Sequence, residues 1–356
     1  MSRALQLAGR GLYTTHPNPR VGCVLVRDDS IIAEGWHEYT GGPHAEVVAL
    51  NNARTEVAGA TCYVTLEPCS HSGRTPPCTD ALIKAGIKRT IAAMLDPNPA
   101  VAGQGRNKLE QAGITVAVGL LAAESERLNH GYIMRRTLQR PLVRCKLAIS
   151  LDGKTALADG TSKWITGTAA RRDVQRLRAE SAAIMTGIGT VLADDPSLNV
   201  RDITLNRIPL RVVIDPELRC PPAAKMLRLP GRTLIFTGNH DAGRRELLQQ
   251  AGAEVVLLDQ PAPGFLHQAL TWLAVQEEIN DILLEAGATL AGSMLDAGLI
   301  DELIIYQAPV LLGDDARGLF KFPPIASMAD RRELELIETR RVGEDVRFTF
   351  EVKSRK

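Results

Sequence analysis

A histidine and two cysteines in the first half of the chain have the residue types and spacing of a metal site. His44 comes first, and Pro68 directly precedes Cys69, nine positions before Cys78. One imidazole and two thiolates give zinc three protein ligands and leave its fourth position open to water, which is the catalytic arrangement. Zinc lowers the pKa of such a water to ~7. The sequence therefore predicts a catalytic zinc site at His44, Cys69 and Cys78.

Glu46 stands two residues after His44, at the start of the same predicted helix. From there it can reach a water on the metal without ligating the metal, and it can pass the water proton to a leaving amine. His-x-Glu followed by Pro-Cys-x-x-Cys is the signature of zinc nucleobase deaminases. Here eight residues separate the two cysteines, which weakens the generic match and places His71 and Arg74 in a loop beside the metal.

Two other interpretations of this cluster remain. In the first, Cys69 and Cys78 are core cysteines and His44 is a surface imidazole. In the second, His71 is a fourth ligand that closes a structural zinc site. The joint occurrence of His44, Glu46 and the Pro-Cys pair favours the catalytic interpretation over both.

Length and composition limit what else the chain can be. Its 356 residues predict two domains, and 42 basic residues nearly cancel 41 acidic ones. This balance argues against nucleic-acid partners and a polybasic membrane arm. The longest uncharged apolar stretch, residues 112–123, is too short to span a bilayer, and no signal peptide is visible. We expect a cytoplasmic protein with no membrane partner, in which Cys23 and Cys62 pack in the core.

Apolar runs alternate with helical patterns along both halves, which predicts α/β layers. In the first half the pattern predicts strands at 21–26, 31–33, 61–66, 88–95 and 114–118, and helices at 43–54, 79–85 and 122–140. Pro141 ends the last helix and marks the domain boundary, giving domains 1–140 and 141–356. Arg135, Arg136 and Arg140 on that helix are expected to face solvent.

The second half has two glycine-bearing turns of chemical interest. Its predicted strands are 142–149, 211–214, 233–236, 254–258, 281–284 and 302–306, and its predicted helices are 168–180, 242–251 and 288–297. Residues 281–293 run from a strand through Gly287 into a helix, where free N–H groups suit a phosphate. A plain β–α turn explains residues 281–293 equally well, because the dinucleotide-binding motif G-x-G-x-x-G is absent from them. A second turn begins at Gly187, flanked by Arg178 and Arg201. Their forked donors could hold a substrate phosphate, although solvated surface charge is the commoner role of any one such arginine.

Several longer motifs together resemble one family. Residues 14–19, 43–46, 65–78 and 96–105 are similar to the bifunctional riboflavin-biosynthesis deaminase–reductases, whose own cysteine motif has the eight-residue spacer. Residues 147–154, 162–166 and 308–313 resemble the reductase half, the last as a structural turn. The resemblance implies a cytidine-deaminase-like three-layer domain followed by a dihydrofolate-reductase-like domain.

The resemblance also implies a two-step activity. The first domain would use Zn²⁺ to deaminate 2,5-diamino-6-(5-phosphoribosylamino)pyrimidin-4(3H)-one. The second would use NADPH to reduce the ribosyl group to ribityl, giving 5-amino-6-(5-phosphoribitylamino)uracil. The implied partners are this small phosphorylated pyrimidine and further copies of the chain, as a dimer or tetramer.

Site residues carry over from the family position by position. The zinc ligands and Glu46 keep the roles argued above, and Asn18, in a proline-flanked loop that could also be a simple turn, would contact the base. The implied NADPH contacts are Ala148, Trp164, Thr190, Asp194, Gly287, Ala288, Thr289, Leu290, Ala291, Gly292 and Ser293. The implied substrate contacts are Ser162, Arg178, Leu198, Arg201 and Glu285. Lys146 and Asp152 are expected beside the ribose.

Two competing functions are consistent with the zinc motif alone. One is a deaminase of nucleic-acid bases or free nucleosides, which the near-neutral charge disfavours for polynucleotides. The other is a zinc-stabilised module that senses a nucleotide, in which Glu46 would be dispensable because it is not a ligand.

Overall fold

The computed structural model describes residues 1–71, 76–261 and 264–353, which form two compact units, Met1–Arg140 and Pro141–Lys356. Both units are α/β. No helix in these described ranges is long and apolar enough to cross a membrane.

The first unit is built on a five-stranded sheet. Its strands are β1 Gly22–Arg27, β2 Ser30–Trp36, β3 Thr61–Val64, β4 Arg89–Ala92 and β5 Thr115–Val118. Their spatial order is β2-β1-β3-β4-β5. β1 is antiparallel to both of its neighbours, whereas β3, β4 and β5 run parallel. The carboxyl ends of the three parallel strands therefore open at one edge, where the loops that follow them meet.

Helices cover both faces of this sheet. They are α1 Ser2–Ala8, α2 Ala45–Asn52, α3 Cys78–Lys84, α4 Gln104–Gln111, α5 Ala122–Leu128 and α6 His130–Leu138. Cys23 and Leu25 of β1 pack in one core with Ala49 of α2, and Val24 packs with α1 on the other face. Because successive strand residues point to opposite faces, this alternation produces the three layers. Cys62 is also fully buried, as expected.

The structure corrects several predicted boundaries. The predicted helix 43–54 begins only at Ala45, because His44 is its N-cap in an extended conformation. The predicted helix 79–85 begins one residue earlier, at Cys78. The predicted helix 122–140 is two helices separated at Asn129, whose side chain bonds the backbone of Arg20 instead of facing solvent.

The second unit contains a nine-stranded sheet. Its strands are β6 Leu142–Ile149, β8 Ala183–Gly187, β9 Leu210–Ile214, β10 Thr233–Thr237, β11 Ala253–Leu257, β12 Asp281–Leu284, β13 Glu302–Gln307, β15 Leu334–Val342 and β16 Asp345–Val352. The order is β11-β10-β9-β8-β12-β6-β13-β16-β15. The first seven positions are parallel, and β16 and β15 are antiparallel additions at one edge. A separate ribbon pairs β7 Lys154–Ala156 with β14 Arg317–Gly318.

Five helices cover the two faces of the large sheet. They are α7 Thr168–Glu180, α8 Ile188–Asp194, α9 Ala242–Gln250, α10 Gly264–Gln276 and α11 Ala288–Asp296. α10 and α11 share a core with one face, while α7 and α8 pack on the other. The patterns did not predict α8, α10 or the β15–β16 hairpin. In β15 nearly every residue is exposed, so the period-2 hydrophobic signal of a half-buried strand is missing.

Gly105, the second residue of α4, allows this helix to lie directly against the metal-binding loop. A Cβ at this position would stand 1.9 Å from the carbonyl oxygen of Pro68, which directly precedes Cys69. We predict that Gly105→Ala lowers the free energy of unfolding by about 1–3 kcal/mol, because either α4 or the loop must shift. Denaturant titration measures the change. Gly9→Ala is the matched control, since its Cβ would meet nothing within 4 Å and its φ is −59°; equal losses in both variants would contradict the prediction.

Candidate functional site

The three predicted zinc ligands converge in the first unit. His44 caps the start of α2, Cys78 is the first residue of α3, and Cys69 lies in the loop after β3. The Nδ1 atom of His44 is 3.2 Å from the Sγ of Cys78 and 3.4 Å from the Sγ of Cys69. The three ligand atoms all lie within 4.8 Å of one another. One ion can therefore contact all three side chains.

The donor set of this cluster suits zinc, with one imidazole nitrogen and two sulfurs. The N–H of Cys78, at the start of α3, donates to the Sγ of Cys69 over 3.3 Å, and a helix N-terminus favours a thiolate. The side-chain hydrogen bond from Cys78, with help from His44, lowers the pKa of the Cys69 thiol to about 4. Donation to Cys69 and burial raise the pKa of Cys78.

His71 is not a member of the metal cluster that the described residues form. It is exposed and lines the pocket in front of the cluster. The structure therefore gives no support to a closed, four-ligand site. Arg74, which was predicted beside the metal, lies outside the described residues.

Glu46 lines a pocket of about 200 Å³ together with His44 and Cys69. Its side chain is only 3% exposed. Burial, reinforced by the nearby Cys69, raises the pKa of the Glu46 carboxyl to about 7. The carboxyl is therefore near the ligand atoms without belonging to the metal cluster, as expected for a group that handles protons.

Asn18 lines the same pocket and is held by His37, which the sequence analysis did not identify. The Nδ1 of His37 donates to the carbonyl of Pro43 over 3.0 Å, and burial lowers the pKa of His37. A neutral ring with its proton on Nδ1 has an acceptor at Nε2, so the Nδ2 of Asn18 donates to it over 3.1 Å. This arrangement orients the Asn18 amide.

Three further pocket residues come from distant parts of the chain. Asp96, Tyr132 and Arg136 line the pocket, and the Arg136 guanidinium is 5.6 Å from the centre of the Tyr132 ring. The prediction that Arg135 faces solvent was wrong, because Arg135 is 8% exposed and donates to the Pro17 carbonyl. These neighbouring arginines differ only in how α6 packs against residues 17–19. The local sequence therefore cannot indicate which of the two is buried and which lines the pocket.

Glu67 connects the metal loop to α4. Its carboxylate accepts three backbone hydrogen bonds, from the N–H groups of Asp96, Gly103 and Arg106, at 2.9–3.0 Å. The side chain is 6% exposed and lies two residues before Cys69. Glu67 therefore fixes the path of the chain into the metal ligand.

The predicted reductase residues lie along one cleft in the second unit. This cleft has a volume of about 1990 Å³, more than the 300–1,000 Å³ typical of one small ligand, so it has room for a cofactor and a substrate. Its lining includes every predicted cofactor and substrate residue of this unit except Ala291, which is fully buried in α11. The carboxyl-terminal ends of the parallel strands contribute much of this lining, as ligand sites of open α/β sheets do.

Arg178 and Glu285 form a buried ion pair in the cleft. Two parallel hydrogen bonds of 2.5 and 2.9 Å join them, and a third Arg178 nitrogen donates to the carbonyl of Asn199. Although burial raises the pKa of Glu285, the charge and hydrogen bonds of Arg178 outweigh it and lower this pKa overall. Arg178 is therefore already engaged, whereas the exposed side chain of Arg201 makes no ion pair in the described part of the chain.

Lys146 and Asp152 lie in different environments. Lys146 lines the cleft, and burial lowers its pKa. Asp152 does not line the cleft; its carboxylate accepts from the N–H groups of Leu312 and Gly313. The prediction that Asp152 lies beside the ribose therefore has no support, and Asp152 instead stabilises the turn at residues 308–313.

Gly287 brings the start of α11 next to the start of α8. Its N–H donates to the Oγ1 of Thr190 over 3.3 Å, and both residues line the cleft. The first N–H groups of a helix have no partner within the helix, so they suit the phosphates of a nucleotide.

Comparison with known proteins agrees with this division. Residues 1–94 match the cytidine and deoxycytidylate deaminase zinc-binding region, and residues 141–348 match the RibD C-terminal domain. The chain is 49% identical to the riboflavin biosynthesis protein RibD of Escherichia coli and 46% identical to that of Haemophilus influenzae, over 97–98% of this chain and 96% of each relative.

Solved structures cover nearly the whole chain as well. Acinetobacter baumannii RibD is 45% identical with a TM-score of 0.91, over 99% of this chain and 98% of that one. A Thermotoga maritima diaminohydroxyphosphoribosylaminopyrimidine deaminase/5-amino-6-(5-phosphoribosylamino)uracil reductase is 34% identical with a TM-score of 0.88, over 99% and 97% of the two chains.

The fold and the two sites thus define a fused enzyme, with a zinc-binding deaminase unit followed by a reductase unit. More particularly, the chain belongs to the RibD family of riboflavin-biosynthesis proteins.

The contacts of Glu67 lead to a prediction about metal affinity. Glu67→Gln replaces one accepting oxygen with an NH₂ group, so part of the hold on the 96–106 segment is lost and Cys69 is less well positioned. We expect zinc affinity to fall about 10- to 100-fold, as for other groups that support metal ligands. Competition with a chelator measures it. Glu110→Gln, which removes only an exposed pair with Arg106, is the control; unchanged affinity in Glu67→Gln would refute the role.

Proposed function

We propose that the first unit hydrolytically deaminates 2,5-diamino-6-(5-phosphoribosylamino)pyrimidin-4(3H)-one. The observation that carries this proposal is the buried Glu46 carboxyl beside a three-ligand cluster in a pocket of heterocycle size. The name of the Thermotoga maritima relative supports the choice of substrate.

The chain's own residues divide the work of deamination. A zinc ion on His44, Cys69 and Cys78 would supply a water activated at neutral pH. Glu46 takes a proton from the attacking water and returns it to the leaving amine. Asn18, oriented by His37, presents its Oδ1 acceptor to the edge of the pyrimidine.

We propose that the second unit reduces the ribosyl group of the deaminated product to ribityl with NADPH. The cleft volume and the start of α11 support a dinucleotide, which supplies the hydride itself. Arg201 contributes an exposed charge for the ribose phosphate, and the buried Arg178–Glu285 pair holds Glu285 ionised beside Lys146. The other expected residues of this unit would contact NADPH and substrate as proposed from the family, with the exception of Ala291, which is buried behind the cleft lining.

We further propose that the protein self-associates and is cytoplasmic. β15 is an edge strand whose Leu334, Leu336 and Ile337 are exposed, as at a surface that pairs with a second copy. The six cysteines are all free thiols, which suits a reducing compartment.

Glu46→Gln tests the deaminase step. We predict that ammonia release from the pyrimidine substrate falls at least about a hundredfold, since the proton carrier is gone, while bound zinc stays at wild-type level. NADPH oxidation with separately prepared deaminated product should stay unchanged. A variant that still releases ammonia at the wild-type rate would refute Glu46 as the proton carrier, and a wild-type protein that binds zinc but deaminates nothing would favour a zinc-stabilised sensor. Release of ammonia from cytidine, but not from the phosphorylated pyrimidine, would instead indicate a nucleoside deaminase.

Arg201→Gln tests the phosphate contact of the reductase. Because the predicted contact is made equally in the ground and transition states, KM for the deaminated product should rise about 10- to 100-fold with kcat nearly unchanged. Arg172→Gln is the control, since Arg172 is exposed on α7 outside the cleft. A wild-type KM in Arg201→Gln, or an equal rise in the control, would contradict the assignment.

A further inference from the structure

We propose that Arg219 and Lys225 recognise the 2′-phosphate of the cofactor, so that this cleft selects NADPH over NADH. The inference rests on the proposed reductase function and deepens it. It assigns a specificity to the segment after β9, which none of the sequence motifs identified.

The strand order shows which part of a dinucleotide reaches this segment. Neighbouring strands are about 4.8 Å apart, so the order β6-β12-β8-β9 covers roughly 14 Å along the cleft. Ala148, at the β6 side, is expected at the reactive ring, and the start of α11 after β12 suits the pyrophosphate. An extended cofactor that continues in the same direction passes β8 and brings its adenosine half to the carboxyl end of β9.

The segment after β9 is held rigidly at this end of the cleft. The carboxylate of Asp215 accepts from the N–H of Cys220 over 2.7 Å, and the carbonyl of Pro216 accepts from the N–H of Gly238 and the hydroxyl of Thr237 at 3.1 and 3.0 Å. Leu218 and Cys220, on either side of Arg219, are at most 1% exposed. Anchored on both sides, Arg219 extends an exposed side chain that lines the cleft.

Lys225 is fixed from a different direction. Its N–H donates to the Oδ1 of Asp195 over 2.8 Å, and Asp195 directly follows α8. Met226, the next residue, is fully buried and anchors the chain. The exposed Lys225 side chain also lines the cleft, so two cations from one anchored segment face the same space.

Carboxylates lie near this end of the cleft, but none of them pairs directly with Arg219 or Lys225 in the described part of the chain. Neither Arg219 nor Lys225 forms an ion pair or donates a side-chain hydrogen bond within residues 1–71, 76–261 and 264–353, unlike the buried pair of Arg178 and Glu285. An arginine fork and a lysine charge that line the same space together suit a phosphate monoester. Glu217 and Asp195 also line the cleft, and the charge of Arg219 acts on Asp215, so the preference for a 2′-phosphate would come from direct contacts with the two unpaired cations and not from a net positive charge.

Nucleotide binding tests the inference without relying on turnover. Dissociation constants of the full-length protein for NADPH and NADH are measured by isothermal titration calorimetry, with 2′,5′-ADP and 5′-AMP as probes that lack the nicotinamide. We expect Arg219→Gln and, separately, Lys225→Gln to weaken binding of NADPH and 2′,5′-ADP about tenfold or more. Binding of NADH and 5′-AMP should change less than about twofold, because these ligands carry no 2′-phosphate to lose its partner.

Controls separate loss of recognition from loss of structure. Arg228→Gln removes an exposed cation of the same segment that does not line the cleft, and should leave all four affinities unchanged. Arg219→Lys keeps a charge without the fork, so it should recover part of the preference. A variant that loses NADH and NADPH binding equally, or an unchanged NADPH preference in both glutamine variants, overturns the inference. A wild-type protein that binds neither nucleotide overturns the reductase proposal as well.

Discussion

Both sites of this protein depend on one constraint: parallel strands end at the same edge of a sheet, and the chain that leaves them starts helices there. In the first unit α3 follows β3 and directs its first N–H, that of Cys78, at the sulfur of Cys69. In the second unit α8 follows β8 and α11 follows β12, and Gly287 bonds Thr190 where the two helices begin. Unpaired N–H groups at these helix starts favour negative charge. A thiolate uses this preference in one unit, and a nucleotide phosphate would use it in the other.

The two buried carboxyls show how surroundings assign different roles to one chemical group. Burial, reinforced by the charge of Cys69, raises the pKa of Glu46 to about 7, a value suited to exchanging protons. Glu285 is also buried, but its bidentate pair with Arg178 lowers its pKa and keeps it ionised. The first arrangement suits proton transfer. The second suits a fixed charge that faces a buried lysine, Lys146.

Much of the support for the metal site comes from residues that do no chemistry themselves. Glu67 accepts three backbone N–H groups next to the ligand loop, and Gly105 lets α4 approach Pro68 without a side chain between them. His37 orients Asn18 through its ring tautomer. The contacts of Glu67 and Gly105 fix the chain directly before Cys69, and the start of α3 fixes Cys78, so the two cysteines meet in one cluster despite their wide spacing.

The elements that were predicted correctly have a clear local pattern: burial alternates along β6, one face of α7 is buried, and β12 is a short apolar run that is buried throughout. The errors have physical causes. Asn129 divides the predicted helix 122–140 because its side chain satisfies the backbone of Arg20, a contact 109 residues away in sequence. β15 lacks an apolar alternation because it lies at a sheet edge with both faces largely exposed. Asp152 was expected beside the ribose, but it does not line the cleft, and its carboxylate instead accepts from the backbone of Leu312, 160 residues further along the chain.

The sequence by itself determined the chemistry available, because the donor types of His44, Cys69 and Cys78 and the carboxyl of Glu46 are properties of single residues that can be read from the chain directly. The resemblance to a known family extended the prediction of chemistry to the second unit. Only the tertiary structure decided which of two adjacent arginines, Arg135 or Arg136, lines the deaminase pocket, and which cations of the reductase cleft remain unpaired. The reason is that pairing and burial depend on groups far apart in the chain. No local pattern encodes their distances, whereas the folded sheet brings them within hydrogen-bonding range.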